Sequence, residues 1–272
     1  MLLQEPLSRH MPCRTGGPCH AYLVVHDREA LVEALALCQK EGWRPVPLGA
    51  GTRTMVRDGG WAVAILRLGT GFSGVERDDS GAWCVGASTP VPALVEQTKS
   101  AKAGGLLHLS CTPGSVGASL RLDQGWDDVV EEVEWLGRRV VKRTGFAEMR
   151  GQKTAVVLSA RLRLPEVGSA YGQDVAAAWR RSLPCEPGAW YRSEAGSPVR
   201  ATLRKASLQR VRLRRVAIPS SAPELVVNLG GGTAADVALL QRCTVERVQR
   251  SRGVKLEPRM VWAGRHAKGG ER

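Results

Sequence analysis

The sequence predicts an α+β chain that folds as two regions. Its 272 residues suffice for one large domain or two modest ones, and a hydrophobic content of 43% is ample for packed cores. Strand-like and helix-like apolar patterns follow one another from residue 21 onward. The segment 165–168 (PEVG) interrupts these patterns, so we place a domain boundary there, between residues 1–167 and 168–272.

The first region opens with a strand followed by a helix. Residues 21–25 (AYLVV) have a strand pattern, and Asp27 precedes apolar residues at helical spacing up to Cys38. Pro90 can open a second helix, reaching about Ala103, because proline is tolerated in a first turn. The other strands predicted in this region are 46–48, 62–66, 82–85, 129–136 and 154–164.

The second region contains the helix with the strongest sequence signal. Thr233 and Asp236 form a Ser/Thr-x-x-acid pattern, in which hydroxyl and carboxylate satisfy the free amides of a helix N-terminus. Gly253 can adopt the left-handed conformation that ends the helix. We also predict a short helix at 175–180 and strands at 209–218, 224–228 and 254–262.

The composition limits the classes of function. A net charge of +13 and a pI near 10.0 concentrate anions around the protein, so a nucleotide-sugar, a phospholipid surface, nucleic acid or an acidic protein is a candidate partner. An ordinary basic surface from an Arg-rich proteome is the alternative. Only 5% of residues are aromatic, which argues against a single-strand nucleic-acid platform.

Cysteine usage and hydropathy predict a cytoplasmic protein. The seven cysteines are scattered with no C-x-x-C pair, which favours reduced thiols in a cytosol over disulfides or a zinc site. The first ten residues hold two charged side chains and no apolar signal region, and no apolar run approaches the ~20 residues that span a bilayer. We expect no metal, no membrane insertion and no cleaved leader.

Four segments carry a resemblance to a known family. They are 14–18 (RTGGP), 48–60 (LGAGTRTMVRDGG), 113–118 (PGSVGA) with 123–125 (DQG), and the C-terminal runs 226–237 and 253–258. In this order they resemble the UDP-N-acetylenolpyruvoylglucosamine reductases (the MurB family). The resemblance implies a vanillyl-alcohol-oxidase-type (PCMH-type) FAD-binding domain, followed by a smaller α+β domain that closes over the substrate.

The glycine-rich segments are the expected flavin site. Where glycines lack a Cβ, backbone amides can approach a diphosphate. The residues that the resemblance assigns to FAD are Gly49, Gly51, Thr52, Arg53, Pro113, Gly114, Ser115 and Gly117. Two substitutions disturb the family pattern: Ala118 adds a methyl group where we expect a positive φ, and Asp123 adds negative charge near an anionic cofactor.

The expected catalytic groups are missing. In this family NADPH reduces FAD, FAD reduces an enolpyruvyl group, and a serine or cysteine in the motif G-[SC]-x-F-K-N-P donates a proton. Here the matching segment 188–194 reads GAWYRSE, so Ala189 replaces the donor. The second family acid, on a C-terminal strand, is replaced by Arg259; Cys185 and Glu257 are the candidate substitutes.

The substrate ligands are also eroded. The family motif F-x-Y-R-x-S is reduced to the segment 145–150 (GFAEMR), in which Arg150 alone could serve. Tyr191 and Arg192 are the other residues that we assign to substrate binding by the resemblance.

Three functions follow from these patterns. The first is an inactive relative that binds a UDP-sugar or another anionic ligand and acts as a scaffold in peptidoglycan precursor synthesis, with cell-wall or division proteins as partners. The second is an active NADPH- and FAD-dependent reductase whose proton comes from Cys185 or Ser193. The third is an anion-binding module, in which Arg210, Arg212 and Arg214 form one face of the strand 209–218.

Overall fold

The protein folds as two compact units. The computed structural model describes residues 1–110, 112–123, 125–137, 140–152, 155–167, 190–193 and 198–267. Unit 1 comprises Tyr22–Ala50 and Ala64–Arg180 together with Met1, and unit 2 comprises Leu2–Ala21, Gly51–Val63 and Arg181–Arg272. Unit 2 therefore takes two segments from the N-terminal part of the chain. Residues 168–189 lie outside the described residues, so a boundary after residue 167 stays a prediction.

The first sheet has four strands in the order β1-β2-β5-β3. These are β1 (Leu2–Leu3), β2 (Cys19–Val25), β3 (Pro45–Pro47) and β5 (Trp61–Leu68), and β4 (Thr54–Val56) lies outside this sheet. Helix α1 (Arg28–Lys40) begins where predicted, because the Asp27 carboxylate accepts from the Ala30 amide at 2.7 Å. Strands β3 and β5 pair in parallel, with Val46 opposite Ile65.

A second sheet, which lies within unit 1, has five antiparallel strands in the order β6-β7-β10-β8-β9. They are β6 (Val75–Arg77), β7 (Trp83–Gly86), β8 (Val130–Gly137), β9 (Val140–Thr144) and β10 (Val156–Leu162). The helices of this part are α2 (Val91–Ser100), α3 (Val116–Leu122) and α4 (Phe146–Gly151). Apolar side chains of α2, α3 and this sheet, such as Leu94, Leu120 and Val85, form one buried core.

Unit 2 is built from short strands around one long helix. Its strands are β11 (Tyr191–Ser193), β12 (Arg212–Leu213), β13 (Val216–Ala217), β14 (Val227–Asn228), β15 (Leu256–Pro258) and β16 (Val261–Ala263). The sheets are β12-β13-β14, β11-β15, and a parallel pair of β16 with β4. Helices α5 (Val199–Lys205) and α6 (Ala234–Arg252) share a buried core that includes Leu203, Val237 and Leu240.

Both ends of helix α6 confirm the sequence prediction. The Thr233 hydroxyl accepts from the Asp236 amide and the Asp236 carboxylate accepts from the Thr233 amide, each at 3.1 Å, which completes the capping box. Gly253 ends the helix at a φ of 65°. The sequence did not predict a third cap: the Asp58 carboxylate accepts from the amides of Ala234 and Ala235 at 2.8 and 2.9 Å.

The prediction of one basic strand over 209–218 was wrong. Leu213 pairs with Val216, so Arg214 and Arg215 form a two-residue turn between β12 and β13. Arg210 and Arg214 have φ values of 63° and 52°, in the left-handed region that a strand cannot accommodate. The alternating arginines therefore do not share one strand face.

Two other predicted strands are shorter than the sequence indicated. The segment 254–262 is interrupted after Pro258, and its two strands β15 and β16 join different sheets. The segment 224–228 is a strand only at β14, because the Leu225 amide bonds the Ala222 carbonyl in a turn. The predicted helix 175–180 lies outside the described residues.

No helix among the described residues combines the length and the apolar character needed to cross a membrane. In the same part of the chain, the structure contains no group of three or more His, Cys, Asp or Glu side chains that could hold a metal ion.

Candidate functional site

A cavity of about 350 Å³ lies within unit 1. It sits among β3, β5, α3 and β10, and its walls are mainly apolar, with Leu48, Leu66 and Val157 among the lining residues. Its volume falls at the lower end of the range for ligand pockets. The glycine-rich segments supply Gly49, Ala50, Gly114, Ser115, Gly117 and Ala118 to the lining.

Gly49 lies so close to helix α3 that a side chain would not fit. A Cβ at this position would be 2.7 Å from the Ser115 hydroxyl oxygen and 2.9 Å from the Ala118 Cβ. Within the described chain, no oxygen accepts a hydrogen bond from the amide of Gly49 or Ala50. Two adjacent amides on a cavity wall can bind the oxygens of an anion such as a diphosphate.

Two arginines to which the sequence gave no predicted role also line the cavity. Arg67 donates to the Gly49 carbonyl at 2.5 Å, which fixes the orientation of the peptide before Ala50. Arg121 donates to the Gln152 carbonyl at 2.9 Å, and burial lowers the pKa of its guanidinium. The signal for both was a single arginine within an otherwise apolar strand (WAVAILRL) or helix (VGASLRL).

The start of α3 is anchored to the segment between β7 and α2. The Val116 amide donates to the Thr89 carbonyl and the Gly117 amide to the Ala87 carbonyl, each at 2.9 Å. A Cβ at Gly117 would lie 2.9 Å from the Ala87 Cβ, so this glycine permits close packing. Gly114, just before the helix, has a φ of 125°, as expected for a glycine-specific turn.

The structure shows how Ala118 and Asp123, the two positions that depart from the family pattern, are accommodated. Ala118 does not require a positive φ, because it lies inside α3, where alanine is the preferred residue. Its methyl group instead borders the cavity. The Asp123 carboxylate accepts from the Ser119 hydroxyl at 2.8 Å and does not line the cavity.

The remaining predicted flavin ligands do not line this cavity. Gly51, Thr52 and Arg53 belong to unit 2, where the Arg53 carbonyl accepts from the Val261 amide at 2.8 Å. Gly51 has a φ of 70°, and its added Cβ would be 2.9 Å from the sulfur of Met11. Pro113 precedes the lining residue Gly114 but is itself outside the lining.

A second group of predicted site residues meets where β11 and β15 pair in unit 2. Arg192 is opposite Glu257, and its Nε donates to the Glu257 carboxylate. The Arg259 amide donates to the Trp190 carbonyl at 2.8 Å, so Arg259 adjoins the residue that follows Ala189. Ala189 and Cys185 lie outside the described residues. Strand β15 ends at Pro258, so Glu257 lies in the strand and Arg259 follows it.

Tyr191 and Ser193 occupy the inner side of β11. Tyr191 is fully buried in the unit 2 core, and burial raises the pKa of its hydroxyl. Ser193 is 4% exposed, and its hydroxyl has no hydrogen-bond partner among the described residues. In this conformation neither residue presents a surface to a ligand, whereas Arg192 between them is exposed.

Arg150 is engaged within unit 1. Its guanidinium lies 3.5 Å from the Asp127 carboxylate, donates to the Asp123 carbonyl at 3.4 Å and stacks over Phe146. The sequence prediction of a substrate contact for Arg150 stays a prediction.

The cavity of unit 1 fits part of a flavin dinucleotide. The observations are the cradle that a Cβ at Gly49 would fill, the two available amides, and Arg67 and Arg121 on a mainly apolar wall. Such features are typical of a domain that binds a dinucleotide.

Comparison with known proteins agrees with that class. Residues 19–122 match a family model described as "FAD binding domain". The UDP-N-acetylenolpyruvoylglucosamine reductase of Rubrobacter xylanophilus is 28% identical to this chain, over 96% of this chain and 94% of the reductase. Reductase 2 of Symbiobacterium thermophilum is also 28% identical, over 95% of the chain and 91% of its own length.

The fold is shared with a solved structure. UDP-N-acetylenolpyruvylglucosamine reductase (MurB) from Thermus caldophilus superposes with a TM-score of 0.75 at 24% identity, covering 95% of this chain and 97% of that one. The predicted α+β class, an FAD-binding domain with a smaller MurB-type domain, is confirmed. Along nearly its whole length the chain resembles the UDP-N-acetylenolpyruvoylglucosamine reductases (MurB).

Proposed function

We propose that this protein retains a flavin site but lacks reductase activity, and that it acts as a cytoplasmic binding or scaffolding protein in peptidoglycan precursor synthesis. The observation that carries the proposal is the position of Arg259. Its amide donates to the carbonyl of Trp190, which lies within the segment 188–194 that matches the family's proton-donor motif. A cation and an alanine thus stand where the family chemistry uses acids.

The two replacements remove the proton supply. An alanine at 189 has no transferable proton, and a guanidinium stays protonated at any working pH and reverses the local charge. Loss of a general acid alone typically lowers the rate about 10²–10⁴-fold. Uncatalysed protonation would then be too slow to sustain turnover.

The described substitutes are poorly suited to donate a proton. Glu257 is engaged by the Arg192 guanidinium on the paired strand. Ser193 points to the buried side of β11, alongside Tyr191, so a substrate outside the core cannot reach its hydroxyl. Cys185 lies outside the described residues, and the reductase assay below tests it directly.

A flavin bound in unit 1 would supply hydride-transfer chemistry to the family's reaction. In this chain, the Gly49 and Ala50 amides would bind diphosphate oxygens, and Arg67 would hold that peptide in place through the Gly49 carbonyl. Leu48 and Leu66 would exclude water from the bound group. A UDP-sugar is the second ligand that we propose, because the chain's relatives are named for acting on one.

The experiment separates flavin binding from turnover. We expect the purified protein, supplied with FAD, to show a bound-flavin absorption spectrum but no NADPH oxidation dependent on UDP-N-acetylglucosamine-enolpyruvate. Turnover that survives repeated purification would contradict the proposal, and its loss in Cys185→Ala would identify the displaced donor. A protein that takes up no flavin would refute the retained site.

A double variant tests how far the loss extends. Ala189→Ser with Arg259→Glu restores a hydroxyl and a carboxylate at the family positions. We expect no activity, because correct substrate orientation can carry about 7–11 kcal/mol of a barrier and the family's substrate motif around Arg150 is broken. Substrate-dependent NADPH oxidation by this variant would show that the binding shell is intact.

A further inference from the structure

The positive charge of the chain is concentrated in unit 2. This unit holds 22 of the 39 basic residues but only nine of the 26 acidic residues. Unit 1 holds the remaining 17 basic and 17 acidic residues. Unit 2 therefore carries the whole net charge of +13, and unit 1 is neutral. An Arg-rich proteome would enrich both units, so the asymmetry is a property of unit 2.

The acidic side chains of unit 2 cannot balance this charge. Each acidic residue in its described part already has a partner within the unit. The pairs are Glu5 with His10, Asp58 with the α6 amides, Glu224 with Arg200, Asp236 with Arg214, Glu246 with Arg250, and Glu257 with Arg192. These six face 19 described basic residues, so most of the positive charge has no counter-charge inside the unit.

Five basic residues gather where helices α5 and α6 end. Arg204 and Lys205 are in the last turn of α5, and Arg247, Arg250 and Arg252 are in the last turns of α6. The Arg247 Nε donates to the Ala206 carbonyl at 3.1 Å, and Arg252 donates to the Lys205 carbonyl, which holds the two helix ends together. All five side chains are exposed. We name these five residues the basic patch.

Helix capping explains only part of the patch. Arg247 and Arg252 satisfy carbonyls at the end of α5, as basic residues commonly do at helix C-termini. Arg250 pairs with Glu246, one turn earlier on the same helix. Arg204 and Lys205 have charges that favour a helix C-terminus, but they form no ion pair in the described part of the chain, so both cations can meet an anion from outside.

We propose that the basic patch binds an acidic segment, rich in Asp and Glu, of a partner protein. The Arg200 guanidinium already shows the matching geometry within unit 2, since its Nε and Nη2 both donate to the Glu224 carboxylate. On the patch, Arg204 offers the same donors to the carboxylates of a flexible acidic segment, and Lys205 adds a second cation beside it. The attraction is long-ranged and salt-dependent.

Other polyanions fit the patch less well. None of its five residues is aromatic and none of the exposed large hydrophobic residues lies on α5 or α6, so the patch as described offers neither a base-stacking platform nor an apolar membrane anchor. The patch is formed by helix C-termini, which present carbonyls rather than the amide groups that often bind phosphates. The patch therefore recognises an anion through its side chains alone, and the Arg200 pair with Glu224 shows how such side chains bind a carboxylate.

The test measures binding of a fluorescent polyglutamate peptide of about 20 residues by anisotropy, at about 0.05 M and 0.2 M salt. Parallel titrations use a duplex DNA of about 20 base pairs and phosphatidylserine vesicles. The patch variant carries Arg204→Glu, Lys205→Glu and Arg250→Glu, which spare the capping arginines. A matched variant reverses three exposed cations of unit 1, with Lys40→Glu, Arg44→Glu and Lys102→Glu.

We expect the patch variant to bind the peptide at least about tenfold more weakly than the unaltered protein, and the unit 1 variant to change by less than about threefold. Circular dichroism melting confirms that each variant is folded. Equal losses in both variants would show a net-charge effect and overturn the proposal. Tighter binding of DNA or vesicles than of peptide at the same salt would overturn the partner class, and no peptide binding would overturn the surface itself. None of these results depends on whether flavin is bound.

Discussion

Replacing Gly49 with alanine tests the close contact between the loop and helix α3. The new Cβ would lie 2.9 Å from the Ala118 Cβ, whereas carbon atoms in contact prefer about 3.5–4.0 Å. The Ser115 hydroxyl, at 2.7 Å, can rotate away, but the Ala118 Cβ is fixed to the helix backbone. The loop or α3 must therefore move by about 0.6–1 Å. Overpacking of this kind costs about 1–3 kcal/mol of the free energy of unfolding.

A double-mutant cycle isolates this contact. Ala118→Gly alone should cost about 1 kcal/mol, because glycine is a poor helix former. Combined with Gly49→Ala it removes the clash, so the double variant should be more stable than the sum of the single effects by at least about 0.5 kcal/mol. Gly151→Ala is the control: an added Cβ meets nothing within 4 Å, and its φ is ordinary.

Urea unfolding followed by far-ultraviolet circular dichroism measures the four stabilities. We expect the control to stay within about 0.5 kcal/mol of the unaltered protein. Strict additivity in the cycle would refute the packing argument, as would a neutral Gly49→Ala. Flavin titration of the same proteins links the packing to the site: Ala118→Gly should enlarge the cavity and raise flavin affinity, and Gly49→Ala should lower it.

Three further predictions concern single side chains. Arg67→Met removes the donor to the Gly49 carbonyl, so FAD should bind at least about tenfold more weakly in fluorescence titrations. The melting temperature should change little, and an unchanged affinity for FAD would contradict the role of Arg67. Thr233→Ala breaks the capping box and should lower the free energy of unfolding in urea by about 1 kcal/mol. Thr233→Ser keeps the capping hydroxyl and should retain most of that stability, so equal stability of the two variants would be the contrary result. The Ser80 hydroxyl, with Arg161, lowers the pKa of Asp78 from 3.8 to about 2. The carboxylate therefore stabilises the fold above pH ~4, and this contribution is lost as the pH falls to about 2. In Asp78→Asn the urea midpoint should depend less on pH over that range than in the unaltered protein, and parallel curves of midpoint against pH would argue against this role.

The sequence by itself determined the elements whose signals are local. The Asp27 cap of α1 and the capping box and Gly253 of α6 involve residues within one turn of each other, so the pattern of residue types sufficed to place them. The sequence also shows an alanine at 189 and an arginine at 259, whereas the loss of the family's acids at these positions stays a prediction. The family's glycine segments predicted a flavin site, and the structure brings part of it together on one cavity, namely Gly49, Gly114, Ser115 and Gly117. The other four predicted ligands lie outside that lining: Gly51, Thr52, Arg53 and Pro113.

Only the tertiary structure decided how distant segments combine. Alternating arginines over 209–218 looked like a strand, but pairing of Leu213 with Val216 turns the chain back at Arg214. Arg67 and Arg121 reach the cavity because β5 and α3 come together there; the local pattern marks each arginine but not the site that they share. Unit 2 recruits residues 2–21 and 51–63 from far along the chain, and the charge asymmetry between the units becomes visible only once those segments are assigned. The physical reason is that capping and periodicity act between near neighbours, whereas strand pairing and cavity formation depend on contacts that the whole fold must satisfy at once.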